Sequence, residues 1–401
     1  FARRKLTLRN SMALRLSLFI HNQFNIMGGA GHARCFSFIV GLLMQRQKEL
    51  HILSSNQRNL WRSNAPSIWT PASDHPHENQ AQSILRTLHD QPRWLEPYHL
   101  YDERGSQLFE QICQLPEYYL TRTENSILFE KAGKIIAAAP VECIVELGAG
   151  TSKKTLHLLS EQVRQRKGGA FAPIDVSLSG LAASRDIVRE EFPQLNFHGL
   201  CSRYEEGIAG IEKKLPTLFV FLGSTVGNFN RSEFVRFFRH LSESMGPKDY
   251  LLLGVDRVKD VKVLEKAYDD AQGVTAVFIL NVFRNINRLM KSNFDLRKMR
   301  YHSWYNPQWQ QIEMYAISTA AQEILFPSHA ASFVWEKDDR ILVEISRKFE
   351  PVRLQKQLQF FGLKPVGHFT DPKDWFSILL FRKLKISSAE KGETKRHVKY
   401  K

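Results

Sequence analysis

The sequence predicts an α/β protein, a doubly wound and mostly parallel sheet that carries a second lobe late in the chain. Three observations point there. Short continuous apolar runs recur (VECIVEL from Val141, LFVFL from Leu218, YLLLGV from Tyr250), with helical segments between them. Runs of that kind suit strands covered on both faces. The alternation stops near Val261, where a mostly helical stretch begins. The chain has 401 residues, 43% hydrophobic and 24% charged, which excludes collagen-like, disordered and disulfide-scaffold classes and allows two folded units.

In order, Gln80–Ala139 reads as a helical part that caps the sheet or completes the lobe. Val141–Leu147 is a strand and Ser152–Val163 a helix. Phe171–Val176 is a strand, and a helix from about Ser179 to Phe192 follows. Leu195–Leu200 and Leu218–Leu222 are strands, Arg231–Ser244 a helix and Tyr250–Val255 a strand. Helix is expected from Val261 to Arg300, then β-rich segments at Gln311–Ala316, Ala331–Trp335 and Arg340–Phe349. A helix near Arg353–Phe361 and a strand Trp375–Arg382 return to the sheet. The expected organisation is a basic leader and linker over 1–72, disordered or non-native, and a cap with the α/β domain over 73–260. A second lobe covers 261–349, the return to the sheet 350–383, and a basic disordered tail 384–401. The Pro- and Ser-rich stretch Ser63–Gln80 reads as a linker, and the first 70 or so residues as dispensable. Phe1 in place of Met suggests a fragment, a processed end or translation from upstream; the apolar runs Leu14–Ile20 and Cys35–Met44 are too short to span a bilayer.

A net charge of +15 would ordinarily suggest nucleic acid or an anionic membrane. Its distribution argues against both. Residues 1–70 hold 10 Lys and Arg against one acid, residues 381–401 hold 8 against 2, and residues 71–380 hold 38 of each sign. The four cysteines (Cys35, Cys113, Cys143, Cys201) are scattered without a C-x-x-C, which suits a reducing cytoplasm and no disulfide framework. His32 and His198 each precede a Cys by three residues, His75 and His77 lie in the linker, and none of these makes a four-ligand site, so no metal is expected.

The first strand ends in Glu146-Leu147-Gly148-Ala149-Gly150-Thr151-Ser152. G-x-G between strand and helix lets backbone approach a ligand closely. A dinucleotide fingerprint would need Gly where Lys153 stands, and no phosphate-loop pattern aligns with Lys153-Lys154-Thr155. S-adenosylmethionine, which has no pyrophosphate to hold, is the remaining common ligand of such a loop, and the alternative is a turn that serves structure alone. Asp175, ending the second strand, suits its ribose hydroxyls.

Six runs then carry a specific resemblance: YDERGSQLFEQICQLPEYYLTRTE from Tyr101, VELGAGTSKKT from Val145, FLGSTVGNF from Phe221, KAYDDAQGVTAVFILNV from Lys266, IEMY from Ile312 and EISRKF from Glu344. Over about Gln80–Lys383 the chain resembles the histidine-specific Nα-methyltransferases of ergothioneine biosynthesis. The resemblance implies a class I S-adenosylmethionine-dependent methyltransferase domain with a substrate-binding lobe. The implied reaction is threefold methylation of the α-amino group of L-histidine to hercynine. It implies cofactor contacts at Gly148, Gly150, Lys154, Asp175 and the pair Arg203-Tyr204. Histidine would meet Tyr118, Asn228, Tyr268, Glu344 and Ser346, with Tyr101, Phe109, Gly223, Thr275 and Met314 around the pocket. Tyr101 and Asn228 would be catalytic. Arg203 stands where relatives usually carry Asp, and arginine accepts no hydrogen bond, leaving that task to Glu205 or a backbone carbonyl.

These residue types suit the chemistry. Methyl transfer to nitrogen needs alignment and an unprotonated amine rather than a strong base. Tyrosine hydroxyls and an asparagine amide can hold the carboxylate and amine, and the rings of Tyr101 and Phe109 can favour the growing alkylammonium. Glu344 and Ser346 lie two apart in a strand-like run, so both face one side, and together they complement one donating and one accepting imidazole nitrogen. Glu344 and Met314 favour histidine over tryptophan. The rival readings are an Nα-methyltransferase for another amino acid and a basic nucleic-acid- or protein-binding methyltransferase-like protein. A monomer in the cytoplasm, acting on a small molecule with no nucleic-acid or membrane partner, is expected.

Overall fold

The structure, a computed structural model, describes residues 50–53, 67–71, 76–211 and 215–384. The expectations for the leader before residue 50, the tail after residue 384 and His75 lie outside these residues. The chain divides into two units, Phe1–Leu50 and His51–Lys401, and the strands and helices from His51 onward belong to the second.

Nine strands form the main sheet, in the order β1 (Leu50–Leu53), β2 (Ser67–Pro71), β5 (Leu195–Cys201), β4 (Gly169–Asp175), β3 (Cys143–Leu147), β6 (Thr217–Phe221), β7 (Tyr250–Asp256), β14 (Phe376–Lys383) and β13 (Leu363–Thr370). From β2 to β7 neighbours are parallel. β14 is antiparallel to β7, and β13 to β14. The helices are α1 (Pro76–His89), α2 (Glu103–Gln114), α3 (Tyr119–Ala138), α4 (Leu156–Arg166), α5 (Leu178–Glu191), α6 (Tyr204–Gly210), α7 (Arg231–Ser244), α8 (Val261–Lys266), α9 (Val274–Met290) and α10 (Pro351–Gln359). This is the doubly wound, mostly parallel sheet expected from the sequence. Its strand order reverses between β3 and β6, and a ligand in such a sheet sits beyond the carboxyl ends at that point.

The apolar runs are explained by two-sided burial. Every residue of β3, β6 and β7 is buried. Successive residues enter opposite cores: Ile144, Phe171, Val220 and Leu252 join one with α3–α5, while Val145, Ala172, Phe219 and Leu251 join the other with α7 and α10. Helix α7 starts where it does because Asn230 accepts from the Glu233 N–H while Glu233 accepts from the Asn230 N–H, and its phenylalanines Phe234, Phe237 and Phe238 turn inward.

The second lobe contains an antiparallel sheet, β12 (Arg340–Arg347), β9 (Gln311–Ser318) and β8 (Met299–Asn306), and a hairpin, β10 (Gln322–Phe326) with β11 (Ala331–Trp335). Of the two roles open to the N-terminal helical part, both occur. Helix α3 packs on α4 and on β13–β14. Upstream, Leu95 N–H donates to Leu342 O at 2.9 Å, Leu342 N–H to Arg93 O at 3.0 Å, and α2 lies on α9.

Several expectations need correction. The stretch read as a linker holds β2, paired in parallel with β5 through Ser67–Trp69, and Ile68 is buried. Helix does not continue to Arg300: β8 begins at Met299, and the basic run Arg297–Arg300 hid a half-exposed strand whose residues alternate between more and less buried. β10 was also unread, and so was β13, whose Pro365 and Gly367 read as breakers. β13 is an edge strand, and its register shifts between those two residues, the setting in which proline is tolerated in a sheet.

Candidate active site

At the end of β3 the backbone turns through Gly148 (φ 71°) and Gly150 (φ 51°), conformations that glycine adopts without steric cost. A Cβ on Gly148 would stand 2.9 Å from Tyr204 Oη, whereas one on Gly150 would meet nothing within 4 Å. The loop is fixed by Asp175: its Oδ2 accepts the Gly150 N–H at 2.8 Å and its Oδ1 the Ser177 N–H at 2.7 Å. Each oxygen keeps a lone pair for a ligand hydroxyl. Burial raises this carboxyl even so. Burial also pushes Glu146 up to about 7, against the Thr155 hydroxyl that donates to it. Open space at Gly150 beside a carboxylate with spare acceptors fits the adenosyl and ribose parts of S-adenosylmethionine. Arg203 points elsewhere, its guanidinium 4.1 Å from the centre of the Tyr98 ring.

Lys154 joins this loop to the next one. Its ammonium pairs with Glu124, a buried carboxylate on α3 that also accepts the Gly223 N–H at 2.8 and 2.9 Å through its two oxygens. One acidic side chain thus ties the ends of β3 and β6 together.

Beyond Gly223 lies a cavity. Tyr101, Phe109, Tyr118, Gly223, Asn228, Tyr268, Thr275, Met314, Glu344 and Ser346 all line it, so every substrate residue expected from the sequence is brought to one place. The contact that closes it is between β12 and the single turn Thr225–Asn228. A Cβ on Gly227 would lie 2.8 Å from Arg347 O, so only glycine lets the turn and β12 approach this closely. That approach sets Asn228 Nδ2 2.8 Å from Glu344 Oε1, to which it donates. Glu344 is buried, and that burial pushes its carboxyl up to about 8 against the pull of Lys348. Tyr101 packs edge-on against Phe109 and Phe278 with centroids 5.6 Å apart, those two phenylalanines lie tilted at 5.9 Å, and Tyr118 meets Tyr268 edge-on at 5.9 Å.

Beneath the cavity runs a polar network that sequence reading missed. Asp256, at the end of β7, is wholly buried; it accepts from Tyr119 Oη at 2.9 Å and pairs with Lys259 and Lys348. Lys348 donates onward to Tyr268 Oη at 2.7 Å and Ser346 Oγ at 2.9 Å, and those two hydroxyls are 2.8 Å apart. The signals were present. Asp256 is an acid ending an otherwise apolar strand, as Asp175 is, Glu124 interrupts the buried stripe Leu120–Leu128, and Lys348 continues the two-residue step of Glu344 and Ser346. Among the described residues no three His, Cys, Asp or Glu side chains converge as a metal site would need.

The family model for "Histidine-specific methyltransferase, SAM-dependent" matches residues 80–383. This chain belongs to that family. As a member, it is an S-adenosylmethionine-dependent methyltransferase. It is 36% identical over 309 residues to the histidine N-alpha-methyltransferase of Mycolicibacterium smegmatis, covering 77% of this chain and 96% of that protein. It is 34% identical to the enzyme of the same name from Mycobacterium tuberculosis, covering 77% and 97%. To ergothioneine biosynthesis protein 1 of Neurospora crassa it is 29% identical, over 77% of this chain and 34% of that longer protein. The match runs from α1 to β14 and so takes in both lobes of this methyltransferase.

Proposed function

We propose that this methyltransferase transfers methyl groups to the α-amino nitrogen of L-histidine three times in succession, giving hercynine, the first step of ergothioneine biosynthesis. One observation carries the reading. The cavity beside the G-x-G loop presents an enclosed carboxyl, Glu344, and a hydroxyl, Ser346, two residues apart on one strand. That pair complements an imidazole, whereas a tryptophan or phenylalanine ring would leave buried polar groups unmatched.

S-adenosylmethionine supplies the methyl group from its sulfonium. In this reading Gly148, Gly150, Lys154, Asp175 and Tyr204 hold it, while Arg203 on Tyr98 acts through its backbone at most. Tyr118, Tyr268 and Thr275 bind and orient the amino acid, with Met314 and Gly223 shaping the wall. Asn228 serves two groups at once, as its amide donates to Glu344 and keeps its carbonyl oxygen for the amine. Tyr101 and Phe109 turn aromatic surface toward the nitrogen and favour it as it gains methyl groups and loses N–H donors. Residues 261–349 form the substrate-binding lobe, completed by Arg93–Gln114, and the sheet of 73–260 and 350–383 carries the cofactor. The charge balance of residues 71–380 supports a protein without a nucleic-acid or membrane partner, and the free thiols of Cys113 and Cys201 suit a cytoplasmic protein.

The test is to incubate the purified protein with methyl-labelled S-adenosylmethionine and each of the twenty amino acids. Label should enter histidine alone, in a product carrying three methyl groups. Histidine left unlabelled while another amino acid accepts the methyl would overturn the reading.

A further inference from the structure

The Asp256–Lys348 pair lies outside the groups assigned to substrate, yet its third partner is the cavity wall. The side chains of both are wholly enclosed. An ammonium has three N–H donors, and those of Lys348 have three acceptors in reach: Asp256 Oδ2 at 2.9 Å, Tyr268 Oη at 2.7 Å and Ser346 Oγ at 2.9 Å. It has no donor left for the cavity.

What it does to the two hydroxyls follows by counting. Each hydroxyl has one proton and two acceptor positions. Lys348 occupies one acceptor position on each. The 2.8 Å contact between the hydroxyls uses one proton and a second acceptor position. A phenol is the stronger acid and weaker acceptor of the two, so Tyr268 donates to Ser346. Ser346 Oγ then accepts twice, and its own O–H is the one proton left over. Because Ser346 lines the cavity, it faces the ligand as a donor with no acceptor capacity.

We propose that Lys348 is a positioning residue for selectivity: by donating to both Tyr268 and Ser346, it turns the Ser346 hydroxyl into an obligate donor, so this wall of the pocket admits only a side chain with an acceptor there. Glu344, two residues earlier, takes a donor in its ionised form. The pocket therefore asks for a ring carrying one donor and one acceptor nitrogen in fixed positions. This rests on the histidine reading and adds to it the residue that sets the polarity of one wall. Without Lys348, the serine hydroxyl regains an acceptor position, and the wall loses its preference.

The experiment compares kcat/KM for L-histidine with that for 3-(2-thienyl)-L-alanine, whose five-membered ring has no nitrogen. Sites that hydrogen-bond a substrate group reject analogues lacking it strongly, so Lys348→Met should narrow the histidine preference about tenfold or more. Affinity for S-adenosylhomocysteine should stay at the wild-type value. Ser346→Ala should narrow the preference comparably, and the double variant should narrow it no further, because Lys348 acts through Ser346. A merely structural lysine would depress both substrates alike; an unchanged ratio in Lys348→Met, or additive effects in the double variant, overturns the proposal. Should Lys348→Met fail to fold, Asp256→Asn/Lys348→Met removes both charges together, and Ser346→Ala, which keeps the ion pair, remains decisive: a wild-type ratio there refutes the proposal. A wild-type protein that methylates no histidine overturns the functional reading, and this inference with it. Histidine turnover with a ratio indifferent to Lys348 overturns this inference alone.

Discussion

The cofactor and substrate ends of the proposed active site are built on different principles, although both lie beyond the carboxyl edge of one sheet. The cofactor end is local. Gly148, Gly150 and Asp175 come from two adjacent strands, and their geometry is set by backbone turns and by backbone N–H groups donating to one carboxylate. The substrate end is long-range. Asn228 and Glu344 are 116 residues apart, Tyr268 and Ser346 78 apart, and Tyr119 and Asp256 137 apart. A local site shows itself as a motif. A long-range site shows itself only as residue types whose meeting the fold arranges, and it needs buried charge to hold it.

The sharpest way to break that contrast is to remove the anion on which the substrate end rests. Asp256→Ala leaves Lys348 and Lys259 without their shared carboxylate. Removing one partner of a buried pair costs about 3–5 kcal/mol, and urea unfolding should show a loss of that size. A loss under about 1 kcal/mol would mean that the lysines shed their protons or find water, and that the network is not what supports the cavity.

Next comes Glu344. Glu344→Ala removes a hydrogen bond to a group that ionises, worth roughly 1.5–3 kcal/mol. Turnover of histidine should fall more than that of aromatic amino acids. Asn228 donates to Glu344, so Asn228→Ala should also narrow the histidine preference, whereas two independently read ends of the substrate would leave it unchanged. The two kcat/KM ratios decide between these outcomes. The same residue gives a pH signature. Its carboxyl is raised from 4.5 to about 8 in the fold, so the folded state binds this proton more tightly than the unfolded one. Its contribution is therefore present below 4.5 and lost as pH rises through about 8. Glu344→Gln should flatten the decline in stability across that window, measured by denaturation at stepped pH.

How much of this was legible follows from the same contrast. The sheet was readable because full burial on both faces writes itself as continuous apolar runs in β3, β6 and β7. Among the strands that escaped, β8, β10 and β13 have an exposed face or an edge, where charge, Pro365 and Gly367 look like loop. The cavity residues, Glu344 and Ser346 included, were reached by resemblance; spacing added only that these two face one side of their strand. Lys348 and Asp256 were overlooked because a lysine in a basic run and an acid at a strand end look solvated until the fold closes over them. Ser63–Gln80 misled for a similar reason: five strand residues hide among prolines and serines.

That segment supplies a milder test. Ile68 is buried in β2, and fully burying such a side chain stabilises by roughly 1.5–3 kcal/mol. A chain starting at Ser73 should therefore be less stable than one starting at Ala65 by about 2 kcal/mol, with kcat unchanged, since β2 pairs with β5 at the sheet's far edge from the cavity. Equal thermal midpoints would return the segment to the role of a linker.

The smallest effect is expected at Gly150, and it tests whether the cofactor end is as local as it looks. Gly150→Ala adds one methyl where nothing lies within 4 Å, at φ 51°. The left-handed conformation costs a non-glycine residue about 1–2 kcal/mol, which a loop of this kind can partly relax. Thermal stability should then fall by only a few degrees. Gly148→Ala, whose methyl would stand 2.9 Å from Tyr204 Oη, should lose more, because Tyr204 must move as well. Affinity for S-adenosylhomocysteine should separate the two from their stabilities. If the open space at Gly150 is where ligand passes close to backbone, its alanine variant loses binding out of proportion to its stability. If binding and stability fall together, Gly150 serves the turn alone and the ligand lies elsewhere along the edge of β3 and β4.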